Sequence, residues 1–146
     1  MTQLIGPACP QERGGQALEA VRIAIALLIL IHGSFRMFTG GVVPFGMWLE
    51  TQGFPSGYWF ALAVTLAELI CPILILLRRF VSLCAAVHIF ILTLGMVMVH
   101  LPSGWFVVGA GRNGMEYSAL LILCLSAVAW AYAPLSRSSA DRGSQG

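Results

Sequence analysis

Glu68 and His88 sit deep inside apolar stretches of the chain. An ionised side chain at such a depth costs about 2.5 to 3.5 kcal/mol even on lenient insertion scales, so each needs a reason. A carboxyl and an imidazole in a low-dielectric setting can pass protons. Toward one end of the same stretches stand further polar groups. His32 and Arg36 are four residues apart and share a helical face; His100 closes the third stretch; Arg112, Asn113 and Glu116 open the fourth. They outline a polar cluster with Glu68 and His88 beneath it. Both charge signs are present, so the members can neutralise one another.

Plainer readings attach to the same residues. Arg36, Arg112 and Glu116 lie near enough to a membrane surface to snorkel or to form loop salt bridges. His100 is at an interface that water reaches, and His88 can serve as a neutral hydrogen-bonding group between helices. Glu68 resists such an account, because a mid-bilayer carboxyl must be protonated or paired, and His88 is the cationic partner at comparable depth. Two metal readings compete. His32 and His100, on different helices, have the arrangement of a b-type haem's two imidazoles. Met96-x-Met98-x-His100, with Met37, Met47 and Met115 toward the same side, offers soft ligands to Cu(I). Nothing else supports a haem, and methionine is commoner as flexible packing, so no metal is assigned; His100, Met96 and Met98 are the residues a metal would use.

The elements that must position these groups follow from composition. The chain is 58% hydrophobic and 10% charged, with a mean hydropathy of +0.86. Soluble domains carry roughly 25% charged residues, so the solvent is a membrane. A net charge of +2 suggests no nucleic-acid partner. Four stretches approach the ~20 residues that cross a bilayer: 18–38, 57–77, 80–99 and 115–135. The first is followed by His32-Gly33-Ser34-Phe35-Arg36 rather than a cleavage site and is read as an uncleaved helix. Cys71, Cys84 and Cys124 lie inside apolar segments, Cys9 stands in the N-terminal tail, and no CxxC spacing exists; they are read as small hydrophobes.

The arginines set the orientation. Arg13, Arg22, Arg78, Arg79, Arg137 and Arg142 fall on one side, and only Arg36 and Arg112 on the other. The positive-inside rule then predicts cytoplasmic termini. Trp48, Tyr58, Trp59, Trp105 and Tyr117 fall near the outer interface, and Trp130 and Tyr132 near the inner one. In the first outer loop, Pro44 and Gly53 bracket a candidate interfacial helix over 45–52. The expected fold is all-α: a polytopic four-transmembrane-helix bundle with a short periplasmic interfacial helix. Residues 1–17 and 136–146 are cytoplasmic tails, and 18–135 form the membrane domain. Ala63 with Ala67, Ser82 with Ala86, and Ala127 with Ala131 are small-residue faces for close helix contact.

The order of these elements resembles the DoxX family. Arg22, His32-Gly33-Ser34-Phe35-Arg36, Ala67-Glu68, Arg79 and Asn113-Gly114-Met115-Glu116-Tyr117 carry the likeness, from about Ala20 to Trp130. The resemblance implies a bacterial inner-membrane protein, a subunit or accessory of a quinone-linked redox system. His32, Gly33 and Arg36 match the family's His-Gly-x-x-basic element, Glu68 its helix-two acid and Glu116 its helix-four acid. Leu69-Ile70-Cys71-Pro72 departs from the paired glycines that often follow the acid, which predicts a kink at Pro72. Ala131-Tyr132-Ala133-Pro134-Leu135-Ser136-Arg137 replaces the family's Gly-x-Gly-Arg-x-Ser-x-Asp ending. No flavin, iron-sulfur or nucleotide motif is present, so no cofactor is evident beyond a quinone, and electrons would come from a membrane or periplasmic redox partner or a thiol substrate. The quinone or substrate site would be drawn from His32, Arg36, Glu68, His88, Arg112, Asn113 and Glu116. The rival expectation is a non-catalytic scaffold that docks another membrane or periplasmic protein.

Overall fold

The computed structural model describes residues 10–108 and 113–133. Among them every regular element is helical: α1 (Pro10–Phe38), α2 (Val42–Thr51), α3 (Gly57–Leu76), α4 (Val81–Gly95) and α5 (Glu116–Ala131). A π-helical turn, Met96–His100, and a 3-10 turn, Leu101–Ser103, extend α4. The segments 1–9 and 136–146 of the expected tails, together with Arg112, lie outside the described residues. The first helix begins at Pro10 rather than near Leu18, since proline at a first helical position forfeits no internal hydrogen bond.

Three helical stretches are long and apolar enough to cross a membrane: Arg13–Phe38, Gly57–Leu76 and Val81–Ser103. The fourth, α5, has 16 residues and falls short of both the expected 115–135 and the ~20 that a perpendicular crossing takes. It is nonetheless a full member of the bundle. α1 packs on α3 and α5, α3 on α4, and α4 on α5, which closes a ring of four, while α2 lies against α3. Ile25 and Ile29 of α1, Ala85 of α4, and Leu121 and Leu125 of α5 form one core cluster. Outside, Ile31, Phe35, Leu83, Phe90 and Leu123 are exposed, the pattern of a chain whose exterior is apolar.

Small residues bring the helices together, partly at other positions than expected: of the expected ones, half-buried Ser82 donates to the Ala129 carbonyl of α5 at 3.0 Å. Ala26, Ala61 and Ala85 are completely buried, whereas Ala63, Ala86, Ala127 and Ala131 face outward. α1 and α3 cross closely at Gly33, where a Cβ would stand 2.7 Å from Glu68 Cβ and 3.2 Å from its carbonyl oxygen. Any larger residue there would push α1 off α3. Pro72 lies buried within α3, which runs through it to Leu76. Having no N–H, Pro72 leaves the Glu68 carbonyl without its helical donor.

An ion-paired knot ties the opposite end. Glu19 Oε2 accepts from Arg22 Nη2 at 2.7 Å and from Arg78 Nη2 at 3.0 Å, and Glu19 Oε1 takes the Tyr132 hydroxyl. Arg22 is only 3% exposed. Its Nη1 donates to the Ile75 carbonyl, and the guanidinium lies 5.9 Å from the Tyr132 ring centre. The first half of α1, the end of α3, the α3–α4 turn and the end of α5 therefore meet. Arg78 and Phe80 build that turn in left-handed conformation, φ 57° and 52°.

Candidate functional site

Toward the other end of the bundle, α1 sets His32 and Arg36 on one face, as an i, i+4 spacing dictates. Arg36 Nη2 donates to His32 Nε2 at 2.8 Å, and Nη1 donates to Glu68 Oε2 at 2.7 Å. Since guanidinium only donates, the proton of neutral His32 is on Nδ1. The partner of Glu68 is thus Arg36 of α1 and not His88. Gly33 makes the pairing possible, because the close crossing it permits places the α3 acid within reach of an α1 side chain one turn further on.

Two neighbours that sequence reading missed complete the Arg36 setting. Thr65, fully buried, lies 3.5 Å from Nη1 and donates its own hydroxyl to the Ala61 carbonyl. Phe45 of α2 covers the guanidinium at 4.6 Å from ring centre to Cζ, in cation–π geometry. The i, i+3 spacing of Thr65 and Glu68 was a signal for the first. No spacing rule connects Phe45 to Arg36 across a turn.

These groups border a cavity of about 650 Å³. α2 and the turn after it contribute Phe45, Trp48, Leu49 and Phe54; α3 contributes Phe60, Val64 and Glu68; and α4 with its π-helical turn contributes His88, Phe90, Ile91, Met96 and His100. The α5 side adds Tyr117 and Ser118. The walls are mostly apolar, and the polar groups are few and grouped. π-helical turns recur at functional sites, and here one carries four cavity-lining residues, Met96, Met98, Val99 and His100.

His88 is 1% exposed and lines this cavity. Its Nδ1–H donates to the Cys84 carbonyl one helical turn back, at 3.1 Å. Nε2 is then a lone-pair acceptor, and it is the one buried side-chain nitrogen or oxygen among the described residues with no hydrogen-bond partner.

The remaining expected residues do different work. Glu116 Oε1 accepts the Val107 N–H at 2.9 Å, and its own N–H donates to the Trp105 carbonyl, so this acid fastens the loop before α5. Asn113 adopts φ 67°, a left-handed conformation that asparagine tolerates, and its carbonyl accepts from His100 Nδ1 at 2.7 Å. Neither lines the cavity, whereas His100 belongs to both groups. Among the described residues no three His, Cys, Asp or Glu side chains converge as a metal site. His32 spends Nε2 on Arg36, which is at odds with a haem ligand.

No curated protein and no solved structure is detectably similar to the chain. Over residues 17–101, more than half its length and the part that carries His32, Gly33, Arg36, Glu68 and His88, the chain matches the family model described as DoxX, and it belongs to that family.

Proposed function

We propose that this DoxX-family chain is a four-span inner-membrane protein that holds a quinone head group between its helices, as a subunit or accessory of a membrane redox system. The cavity carries the reading. At about 650 Å³ it falls within the ~300–1,000 Å³ of small-molecule sites. Its apolar walls with a few convergent polar groups suit a flat ring that bears oxygens and an apolar tail. Arg36, His32, Glu68 and His88 are the groups that meet those oxygens, and Phe45 and Trp48 are the aromatic faces on that side.

Access from the bilayer supports the same reading. α3 and α4 are joined at their knotted end by residues 77–80, and along them Phe60 and Phe90 are both exposed and cavity-lining. A lipid-soluble molecule thus meets an apolar path between them. In this arrangement α2 lies at the periplasmic surface over the head group, and electrons pass to or from a membrane or periplasmic redox protein, since the chain has no redox motif of its own.

Solvent extraction of the protein purified in mild detergent, followed by mass spectrometry, tests the proposal. Quinone at close to one per chain is expected, and a Trp48→Ala variant should retain less. Protein that yields no quinone and binds no added short-chain quinone would overturn it.

A second reading, a non-catalytic scaffold, draws on Ala63, Ala86, Ala127 and Ala131, which face outward and would let another helix approach closely. Under that reading, quinone is absent and a partner subunit co-purifies.

A further inference from the structure

Two thiols from different helices meet away from the cavity. Cys71 of α3 is half-buried and Cys84 of α4 is 3% exposed, and neither is among the residues that line the cavity. Both are free, and their side chains interact directly across the α3–α4 interface. Ala26 and Ile75, both buried, surround Cys84, and Leu74 and Leu76 pack alongside with Cys71. Among the described residues no third His, Cys, Asp or Glu side chain joins the pair.

Two sulfurs in an apolar shell are selective in what they hold. Structural zinc takes four ligands and the hard cations take oxygens, so neither is served here. The soft monovalent ion Cu(I) is satisfied by two thiolates in a line, which leaves no coordination position for water. Binding exchanges two S–H bonds for two Cu–S bonds. Cu(I) and two neutral thiols give a bis-thiolate of net charge −1 and two released protons, with no change of oxidation state.

That one negative charge has a counterpart close by. Ile75, one helical turn beyond Cys71, gives its carbonyl to Arg22 Nη1, and Ala26 lies one turn from Arg22 on α1. The knot that contains Arg22 sets two guanidinium groups, Arg22 and Arg78, against one carboxylate, Glu19, which is a net charge of +1. It stands about 6 Å from the thiols along the helices, at 1.5 Å per residue. Cys84 is also the fourth residue of α4, near the helix end whose dipole favours an anion.

We propose that Cys71 and Cys84 form a two-coordinate Cu(I) site that joins α3 to α4 one turn inside the knotted end of the bundle. The positive-inside rule predicts that end to be cytoplasmic, the compartment in which thiols stay reduced. The site is separate from the cavity and does not depend on which ligand the cavity takes.

The test uses the full chain in detergent as a Cys9→Ser/Cys124→Ala variant, which keeps only these two of its four cysteines. Cu(I) is supplied anaerobically as its acetonitrile complex in the presence of bicinchoninate, a chelator that colours when it holds Cu(I). The chain should withdraw about one copper from the chelator. Further substitution, Cys71→Ala or Cys84→Ala, should abolish the transfer, because a lone thiol leaves copper with the chelator. X-ray absorption at the copper edge of the loaded chain should show two thiolate sulfurs and no other neighbour. That spectrum decides the matter even where an alanine variant fails to fold, since Cys71 and Cys84 are then the only source of thiolate.

Copper left with the chelator, retention of copper by both alanine variants, or a spectrum of nitrogen and thioether neighbours such as His100, Met96 and Met98 supply would each overturn the site. None of these results touches the quinone reading, which its own extraction experiment decides.

Discussion

The Arg36 guanidinium of α1 lies 2.7 Å from the Glu68 carboxylate of α3, with the side chains 16% and 9% exposed. A pair so far out of water adds little net stability, yet removing one partner strands the other charge, at a cost of about 3–5 kcal/mol. Glu68→Gln should therefore lower the thermal unfolding midpoint in detergent markedly, as should Arg36→Gln. The double variant, with both charges gone and two amides able to pair, should recover most of the loss. Two single variants as stable as the wild type would show that the pair is not a structural link.

Gly33 makes the second prediction a steric one. A Cβ at this position would sit 2.7 Å from Glu68 Cβ and 3.1 Å from its carbonyl carbon, and backbone gives way less readily than a side-chain tip. Gly33→Ala should cost about 1–3 kcal/mol by overpacking, and Gly33→Val more. Gly95, whose Cβ would meet no atom within 4 Å, is the control, and Gly95→Ala should be tolerated. The check is the monodisperse yield of each variant after detergent extraction.

Much of this arrangement was legible from the chain. Hydropathy located the helices, and Pro44 with Gly53 located α2, which runs Val42–Thr51 because the first amides of a helix need no internal acceptor and proline sits among them without loss. The i, i+4 spacing of His32 and Arg36 placed them together, and depth alone placed Glu68 and His88 below them. What depth does not encode is rotation. Counting along the chain sets Glu68 and His88 at comparable depths, but α3 turns Glu68 Oε2 toward α1, where Gly33 lets it reach Arg36. Sequence proximity also misled at Glu116. It stands next to Asn113 and near Arg112, yet its carboxylate is held by the Val107 N–H of the loop that folds back on it. Glu19 carries no local signal of its role in the sequence. Its partners, Arg78 and Tyr132, are far away in sequence.

That knot yields a graded prediction. Glu19 accepts from Arg22, Arg78 and Tyr132, whereas Tyr132 contributes one hydroxyl. Tyr132→Phe removes a single hydrogen bond and should cost about 1 kcal/mol. Glu19→Gln leaves the buried Arg22 without its anion and should destabilise the protein by clearly more. The ordering is read from unfolding midpoints of the two variants in the same detergent; the reverse order would place the strength of the knot in the tyrosine.

The knot also bears on topology, which supplies the last prediction. It gathers the first half of α1, the end of α3 and the end of α5 at one end of the bundle. α1 then leads away from that end and α3 returns to it; α4 leads away again and α5 returns. With α5 as a fourth pass, its 16 residues rising ~24 Å at 1.5 Å each, the expected outcome is that the two chain ends share one side. Arg22 and Arg78 stand within the knot itself, and the positive-inside rule predicts that its side is cytoplasmic. Reporter fusions after Arg79 and after Gly146 should give cytoplasmic signals, and one after Gln52, at the end of α2, a periplasmic one. A periplasmic signal after Gly146 with a cytoplasmic one after Arg79 would mean that α5 does not cross, and the chain would be a three-span protein with α5 packed against it from one side. Periplasmic signals at both sites with a cytoplasmic one after Gln52 would invert the molecule and set the cavity's polar end toward the cytoplasm.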